Sequence, residues 1–289
     1  MILHLKARAK INLALDVTGK RPDGYHDVRM IMQSVGLYDE ITMEDTRESG
    51  VVLKTNWSFI PTDESNLCCR AARLLMDEFG ITGGVSIYLE KTIPVAAGLA
   101  GGSADAAAVM VGMNRLFSLK LSGEQLRERA VKIGADVPFC IMGGTALSEG
   151  IGEILTPLPS LPDCSILIVK PHISVSTKYV YENLRLDGDM IHPDVDGMVD
   201  AIGASDLGRV AGLMGNVLET VAGEKYPVIG ELKELLISRG ALGALMSGSG
   251  SAVFGIFEDD ERAQEAARAA RSLEGVRQVF VRRPYGGYH

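Results

Sequence analysis

The feature that most constrains this chain is a glycine-rich stretch, PVAAGLAGGSADAAA, which starts at Pro94. Gly98, Gly101 and Gly102 come immediately before an alanine-rich run that predicts a helix beginning near Ser103. Glycine loses more conformational entropy on folding than any other residue, so a glycine cluster rarely builds a core. A helix N-terminus has unpaired N–H groups and about half a positive charge, and missing side chains let an anion approach them. The stretch therefore predicts a phosphate-binding loop, with a tight strand-to-helix turn as the alternative.

Two better-known phosphate-binding loops do not fit this stretch. A Walker A motif would need a lysine and a serine or threonine directly after its last glycine, and none follows here. The Rossmann fingerprint has a different glycine spacing. Its acidic partner would lie about 20 residues further on, at the end of a strand, but a loop and the start of a helix are predicted there. The stretch therefore excludes a Walker-type kinase and an NAD-binding oxidoreductase.

The composition is typical of a globular protein and argues against two other classes. The chain has 289 residues, 46% hydrophobic and 23% charged, which suffices for one large domain or two ordinary ones. A net charge of −8 and the lack of a lysine- or arginine-rich run argue against a nucleic-acid partner. The alternating N-terminus, with no apolar run of about 20 residues, predicts neither a signal peptide nor a membrane span. We expect a cytoplasmic protein.

The cysteines and histidines do not have the spacing of a metal site. The four cysteines form no CxxC pair, and the five histidines show no HxH or HxxxH pattern. Free cysteines behave as small core residues in reducing compartments, so we expect buried thiols. No metal site built from protein side chains is predicted.

The first half of the chain is predicted to be rich in strands. Alternating apolar and polar residues predict one or two strands over residues 3–17 and another over residues 85–91. Three helices are predicted, at residues 65–80, 103–117 and 122–133. The first has Ser65 or Asn66 as its N-cap and Gly80 as its stop, and the third begins with a capping box from Ser122.

The second half is predicted to form a separate domain. Three prolines between Pro157 and Cys164 predict a linker, which places the domains at residues 1–156 and 157–289. Beyond several short helices, the predicted elements are a buried strand at 165–170, a helix at 226–238, strands at 243–246, 252–257 and 276–281, and a helix at 260–272. We therefore expect two α+β lobes with a cleft between them.

The glycine-rich stretch also resembles the phosphate-binding motif of the GHMP kinases, a family of small-molecule kinases. The match includes Pro94, the pair Gly98–Leu99 and the pair Ser103–Ala104. The resemblance implies a two-lobed α+β fold, with an N-terminal lobe like ribosomal protein S5, a C-terminal ferredoxin-like lobe and the active site between them. It also implies ATP and Mg²⁺ as cofactors. The residues expected to bind ATP are Pro94, Val95, Ala96, Ala97, Gly98, Leu99, Ala100, Gly101, Gly102, Ser103 and Ala104.

Three further segments resemble one branch of this family, which acts in the non-mevalonate route to isoprenoid precursors. They are residues 7–41, 132–153 and 244–257, and the motif NVLE at Asn216 fits as well. The resemblance implies an ATP-dependent kinase whose small-molecule substrate carries a cytidine diphosphate group. Two alternatives remain: another GHMP activity, such as a mevalonate or homoserine kinase, and a catalytically silent ligand-binding protein. Residues 187–205 match nothing, and the oligomeric state is not predicted.

The resemblance implies two catalytic residues, Lys10 in AKIN and Asp136 in GADVPF. Phosphoryl transfer to an alcohol requires positioning, charge stabilisation and an acceptor for the hydroxyl proton. An ammonium near Asp136 would keep its carboxylate ionised and could also stabilise charge on the transferred phosphoryl group. The structural alternatives are a solvated strand residue for Lys10 and a cap of a helix or turn after Gly134 for Asp136.

The resemblance also implies residues that bind the substrate. Tyr25, His26 and Tyr181 resemble residues that contact cytosine, and stacking on an aromatic ring contributes about 1–3 kcal/mol per base. Asn12 and Thr177 are expected to make further polar contacts. The segment SGSG resembles the third motif of the family, which lines the cleft, although a simple turn fits its composition equally well. Its residues are Ser247, Gly248, Ser249 and Gly250.

Overall fold

Runs of strands and runs of helices follow one another along the chain in the computed structural model of the protein, which describes residues 1–186 and 190–287. This confirms the predicted α+β class. The strands are β1 (Ile2–Lys20), β2 (His26–Thr46), β3 (Gly50–Thr55), β4 (Gly84–Glu90), β5 (Thr145–Glu149), β6 (Ile154–Leu158), β7 (Ser165–Pro171), β8 (Gly215–Asn216), β9 (Gly243–Met246), β10 (Val253–Phe257) and β11 (Val276–Arg282). The helices are α1 (Leu67–Phe79), α2 (Gly101–Leu116), α3 (Gly123–Ala130), α4 (Val137–Met142), α5 (Thr177–Asn183), α6 (Val195–Gly203), α7 (Leu207–Gly212), α8 (Glu219–Lys225), α9 (Val228–Ser238) and α10 (Asp260–Arg271).

Several predicted helix ends are confirmed by their cap geometry. The Asn66 side chain accepts a hydrogen bond from the backbone N–H of Cys68, and Gly80 ends α1 in the left-handed conformation with φ 61°. The Ser122 hydroxyl accepts the N–H of Gln125, whose side chain accepts the N–H of Ser122 in return. These caps satisfy backbone groups that the ends of a helix otherwise leave unpaired.

The N-terminal alternation, predicted to form one or two strands, forms one, and two predicted boundaries are wrong. Helix α2 begins at Gly101 rather than near Ser103, with Ala100 at the N-cap. The N-terminal alternation forms one strand of 19 residues, β1. The proline-rich linker begins later than predicted, because Pro157 lies in β6 and pairs with Ala146 of β5. Among the described residues β6 pairs with β5 alone, so it is an edge strand, the position in a sheet where proline is tolerated.

Contacts divide the chain into two units. The first unit consists of Met1–Ala9, Leu37–Val95 and Ala100–Gly143, and the second of Lys10–Gly36, Ala96–Leu99 and Gly144–His289. Each unit combines separate segments of the chain, since the long strands β1 and β2 contribute residues to both. The predicted domain boundary between residues 156 and 157 stays a prediction.

The first unit is a sheet covered by helices α1 to α4. Strand β4 pairs antiparallel with the C-terminal part of β2 and parallel with β3. The helices bury an apolar face against this sheet, in a cluster that includes Met43, Leu75, Ile87, Met110 and Val137. Burial of this kind contributes about 25 cal/mol per Å² of apolar surface. The packed cluster fixes strand β4 and helix α2, the two elements that flank the glycine-rich loop.

The second unit contains a four-stranded antiparallel sheet in the order β11-β7-β10-β9. Strand β7 is entirely buried, as its unbroken apolar run predicts, and helices α9 and α10 pack against this sheet. The N-terminal part of β2 pairs with β5, while β1 pairs in parallel with β8. In the part of the chain that the structure describes, no helix is long and apolar enough to cross a membrane.

Candidate active site

The glycine-rich loop has an irregular backbone that is suited to an anion. Ala96, Gly98 and Ala100 have positive φ angles of 51°, 74° and 54°. Alternation of right- and left-handed residues makes successive N–H groups converge, which forms a concave anion site. A left-handed alanine costs about 1–2 kcal/mol, and strain of this kind concentrates at functional sites. The conformation therefore supports a phosphate-binding loop over a plain turn.

Three consecutive carbonyl groups of this loop are bound to other backbone and side-chain groups. The oxygens of Ala97 and Leu99 accept the backbone N–H groups of Ala252 (3.0 Å) and Lys10 (3.1 Å). The Gly98 oxygen between them accepts a hydrogen bond from the Lys10 ammonium at 3.3 Å. The C=O and N–H of a trans peptide point in opposite directions, so the N–H groups that follow these oxygens point away from those partners. This arrangement is compatible with a phosphate-binding loop, whose role stays a prediction.

Gly98 is required by the close approach of another backbone segment. A Cβ atom at this position would lie 1.9 Å from the carbonyl oxygen of Ser247 and 3.1 Å from the N atom of Gly250. The Ser247 hydroxyl also donates a hydrogen bond to the Gly98 oxygen at 2.9 Å. The SGSG segment, residues 247–250, therefore packs directly against the loop. Its cleft-lining role stays a prediction.

Helix α2 follows the loop without a side-chain cap. Its N-cap is Ala100, so no side chain accepts the first N–H groups of the helix. Gly101, Gly102 and Ser103 supply this first turn, where the partial positive charge of the helix is concentrated. A phosphate group could take the place of the missing cap.

Lys10 is buried on β1, with 4% of its surface exposed. Its ammonium donates to Asn12 Oδ1 at 2.7 Å and to the Gly98 oxygen at 3.3 Å. These contacts exclude the alternative that Lys10 is a solvated strand residue. Asn12 is completely buried, and its amide also donates to Met30 Sδ at 3.1 Å. The position of Asn12 holds the Lys10 ammonium against the loop, and a direct contact of Asn12 with substrate stays a prediction.

Asp136 lies at the N-cap position of α4, but its side chain does not cap the helix. Six of the other helices have side-chain caps, among them α7, where Asp206 accepts the N–H of Arg209. Of the structural alternatives for Asp136, the helix cap is therefore wrong, and the turn cap stays open. Asp136 belongs to the first unit and Lys10 to the second, and their catalytic pairing stays a prediction.

Two of the three predicted aromatic residues are in contact. The rings of His26 and Tyr181 lie 5.1 Å apart between centroids and are tilted by 40°. Burial, together with the positive charge of Lys20, lowers the pKa of His26, so its imidazole is neutral near pH 7. Tyr25 is 58% exposed and lies beside this pair in sequence. The Thr177 hydroxyl forms a hydrogen bond of 2.7 Å with the Ser249 hydroxyl, which joins the start of α5 to the SGSG segment.

Sequence reasoning gave no role to Asn216, which holds the SGSG segment in place. Its buried amide donates to the carbonyl oxygens of Met246 (2.9 Å) and Gly248 (2.8 Å) and accepts the N–H of Leu218 (3.0 Å). Glu219 accepts the N–H of Met246 and forms an ion pair with Lys233 on α9. The motif NVLE was the available signal, and only the fold shows which residues it contacts.

The structure thus brings together several of the predicted site residues of the second unit. Lys10, Asn12 and Gly98 form one connected set with Ser247. Within residues 1–186 and 190–287, no group of three or more histidine, cysteine, aspartate or glutamate side chains could hold a metal ion.

Known proteins that resemble this chain share its fold and its length. The family description "GHMP kinases N terminal domain" matches residues 66–144, and "GHMP kinases C terminal" matches residues 198–274. A 4-diphosphocytidyl-2-C-methyl-D-erythritol kinase from Lachnoclostridium phytofermentans is 57% identical over 282 residues, which cover 98% of this chain and 97% of that protein.

Two solved structures extend the comparison to the fold. The crystal structure of a 4-(cytidine 5'-diphospho)-2C-methyl-D-erythritol kinase superimposes with a TM-score of 0.83 at 34% identity, covering 99% of this chain and 100% of that one. A homoserine kinase from Cytophaga hutchinsonii superimposes with a TM-score of 0.79 at 22% identity, covering 97% and 94% of the two chains. The second likeness concerns the fold alone.

Proposed function

Since this chain belongs to the GHMP kinase family, we propose that it transfers the γ-phosphoryl group of ATP to the 2-hydroxyl of 4-diphosphocytidyl-2-C-methyl-D-erythritol. The chain is a small-molecule kinase of the α+β GHMP fold. The observation that carries the substrate assignment is the similarity over nearly the full chain to kinases of that substrate. The reaction belongs to the non-mevalonate synthesis of isoprenoid precursors. A cytoplasmic location fits a water-soluble substrate of this kind.

The ATP phosphates are proposed to bind on the loop and helix start from Pro94 to Ala104. The left-handed residues of this loop and the uncapped N-terminus of α2 support this placement, because both present backbone N–H groups to an anion. Mg²⁺ bound with ATP would neutralise charge on the β- and γ-phosphate oxygens.

Asp136 and Lys10 are proposed to carry the chemical step. The 2-hydroxyl oxygen forms a bond to the γ-phosphorus while the bond to the β-γ bridging oxygen breaks, and ADP leaves. The hydroxyl proton passes to Asp136, which suffices as a weak base because a loose transition state releases the proton late. The buried Lys10 ammonium stabilises negative charge on the transferred group, and burial strengthens this effect by excluding water.

The cytosine ring is proposed to stack on the pair formed by His26 and Tyr181. Because these rings already touch, the base stacks on an outer face of the pair rather than between the two rings. A neutral His26 can donate one hydrogen bond and accept another, so it can read the polar edge of the base. Tyr25, which is exposed, can complete the other side of the base. Thr177 and Asn12 are proposed as further polar contacts.

Replacing Tyr181 by alanine should raise KM for the cytidyl substrate. Loss of one stacking partner costs about 1–3 kcal/mol, which is about a 5- to 150-fold increase in KM. We expect KM for ATP to change by less than about twofold. Tyr179→Ala is the matched control, because Tyr179 lies on the same helix but contacts the Lys225 ammonium. Equal effects of the two substitutions on KM would contradict a role of Tyr181 in base recognition.

The proposed function is tested by ADP release from the purified protein with ATP, Mg²⁺ and 4-diphosphocytidyl-2-C-methyl-D-erythritol. Mevalonate and homoserine, which have no base to stack, serve as alternative substrates. We expect turnover with the cytidyl substrate only. Equal turnover with mevalonate or homoserine would indicate a different GHMP activity. A lack of turnover with all three, while ATP still binds, would indicate a ligand-binding protein.

A further inference from the structure

A buried charge cluster lies at the base of the phosphate-binding loop, in the first unit. It consists of Asp39 on β2, Lys91 directly after β4 and Asp105 on α2, which are 0%, 5% and 2% exposed. The Lys91 ammonium donates to Asp105 Oδ2 at 2.7 Å and to Asp39 Oδ2. The other oxygen of Asp39 accepts the backbone N–H groups of Thr92 and Ile93. None of these three side chains belongs to the predicted catalytic or binding set.

The cluster connects the two ends of the loop by a side-chain contact. Lys91 precedes the stretch from Pro94 to Ala104, and Asp105 follows it, so the hydrogen bond from Lys91 to Asp105 closes the loop at its base. Helix α2 packs directly over the cluster, since a Cβ atom at Gly101 would lie 3.3 Å from the Lys91 ammonium. The positions of the N–H groups at the start of α2 therefore depend on these contacts.

The cluster contains one cation and two carboxyl groups, which constrains their charge states. Burying a charged carboxylate without a partner costs several kcal/mol. One lysine ammonium can therefore stabilise only one of the two carboxyl groups in its ionised form. Asp39 accepts hydrogen bonds from three donors, which favours its ionised form. Asp105 accepts from Lys91 alone, and among the described residues its Oδ1 has no hydrogen-bond partner.

We propose that Asp105 is a neutral carboxylic acid at neutral pH, and that Asp39, Lys91 and Asp105 together position the phosphate-binding loop for ATP. The role in ATP binding rests on the proposed function. Burial, opposed by Lys91 and reinforced by the Asp39 charge, raises the pKa of Asp105. The neighbouring Cys68 adds no charge, because burial raises the pKa of its thiol.

The charge state is tested by infrared difference spectroscopy of the wild-type protein against Asp105→Asn at pH 7. We expect a carbonyl stretch of a protonated carboxyl group in the wild type that is missing in the variant. Asp77→Asn on α1, where the aspartate is exposed, is the control and should leave the band unchanged. Absence of the band in the wild type would overturn the assignment of a neutral Asp105. This measurement does not depend on kinase activity.

The positioning role is tested by the binding of a non-hydrolysable ATP analogue and by steady-state kinetics. Asp105→Asn preserves a neutral group of the same shape, so we expect an analogue Kd within about twofold of wild type. Asp105→Leu removes the hydrogen bond to Lys91, so both the Kd of the analogue and KM for ATP should rise about tenfold. KM for the cytidyl substrate should change less than twofold. Equal losses in both variants, or equal changes in both KM values, would overturn the role. If the wild type binds the analogue but does not phosphorylate the cytidyl substrate, the proposed function fails while the loop-positioning proposal stands.

Discussion

Replacing Asp136 by asparagine should reduce kcat about 10³-fold, within the range of about 10²- to 10⁴-fold that general acid–base catalysis contributes. The amide has the same shape but cannot accept the hydroxyl proton. The Asp136 side chain does not cap α4, so its replacement removes no capping hydrogen bond. We expect a KM for ATP within about threefold of wild type, and thermal unfolding shows whether the variant is folded at the assay temperature. Steady-state ADP release and thermal unfolding measure these quantities.

The matched control is Asp206→Asn at the N-cap of α7. This substitution removes the same charge at the same helix position, and asparagine retains the capping bond to the N–H of Arg209. We expect wild-type kcat for the control. An Asp136→Asn protein that retains more than about a tenth of wild-type kcat would show that the proton goes elsewhere, since loss of a catalytic base costs at least 10²-fold.

Periodicity and cap chemistry predict most of the elements because these are local properties of the chain. Helix α1, its Asn66 cap and its Gly80 stop follow from residues adjacent in sequence. The start of α2 is different, because the loop before it adopts left-handed conformations at Ala96 and Ala100, which sequence propensity disfavours. Contacts made by the loop carbonyls with residues far along the chain stabilise these conformations.

Contacts between site residues that are far apart in sequence could not be predicted from the sequence alone. Lys10 could be singled out only by resemblance, since an alternating strand equally predicts a solvated lysine. Its burial follows from the contacts with Asn12 and Gly98, which lie 2 and 88 residues away in sequence. Asn216 was missed for the same reason, because its partners lie about 30 residues further along the chain. Pairing at such distances depends on topology, which local patterns do not encode.

Replacing Lys10 by methionine should reduce kcat about 10²- to 10³-fold, as the loss of one preorganised electrostatic contact does. Methionine fills a similar apolar volume but carries no charge. The Gly98 oxygen keeps its hydrogen bond from the Ser247 hydroxyl, so the loop retains one anchor. Asn12 Oδ1, however, loses its buried donor, which should cost about 1–3 kcal/mol of the free energy of unfolding. Thermal unfolding and ADP release measure the two effects separately.

A second substitution separates the charge of Lys10 from its structural contact. In the double variant Lys10→Met, Asn12→Leu, both members of the buried hydrogen bond are apolar, so the free energy of unfolding should recover while kcat remains low. Lys6 lies on the same face of β1 as Lys10, since side chains alternate between the two faces of a strand. Lys6→Met should leave kcat within about twofold of wild type. Recovery of kcat together with stability in the double variant would mean that Lys10 serves the fold alone. Asn12→Leu alone measures what the proposed substrate contact of Asn12 contributes. A loss of kcat in the stable double variant that exceeds the loss in Asn12→Leu would leave the ammonium charge of Lys10 as the cause.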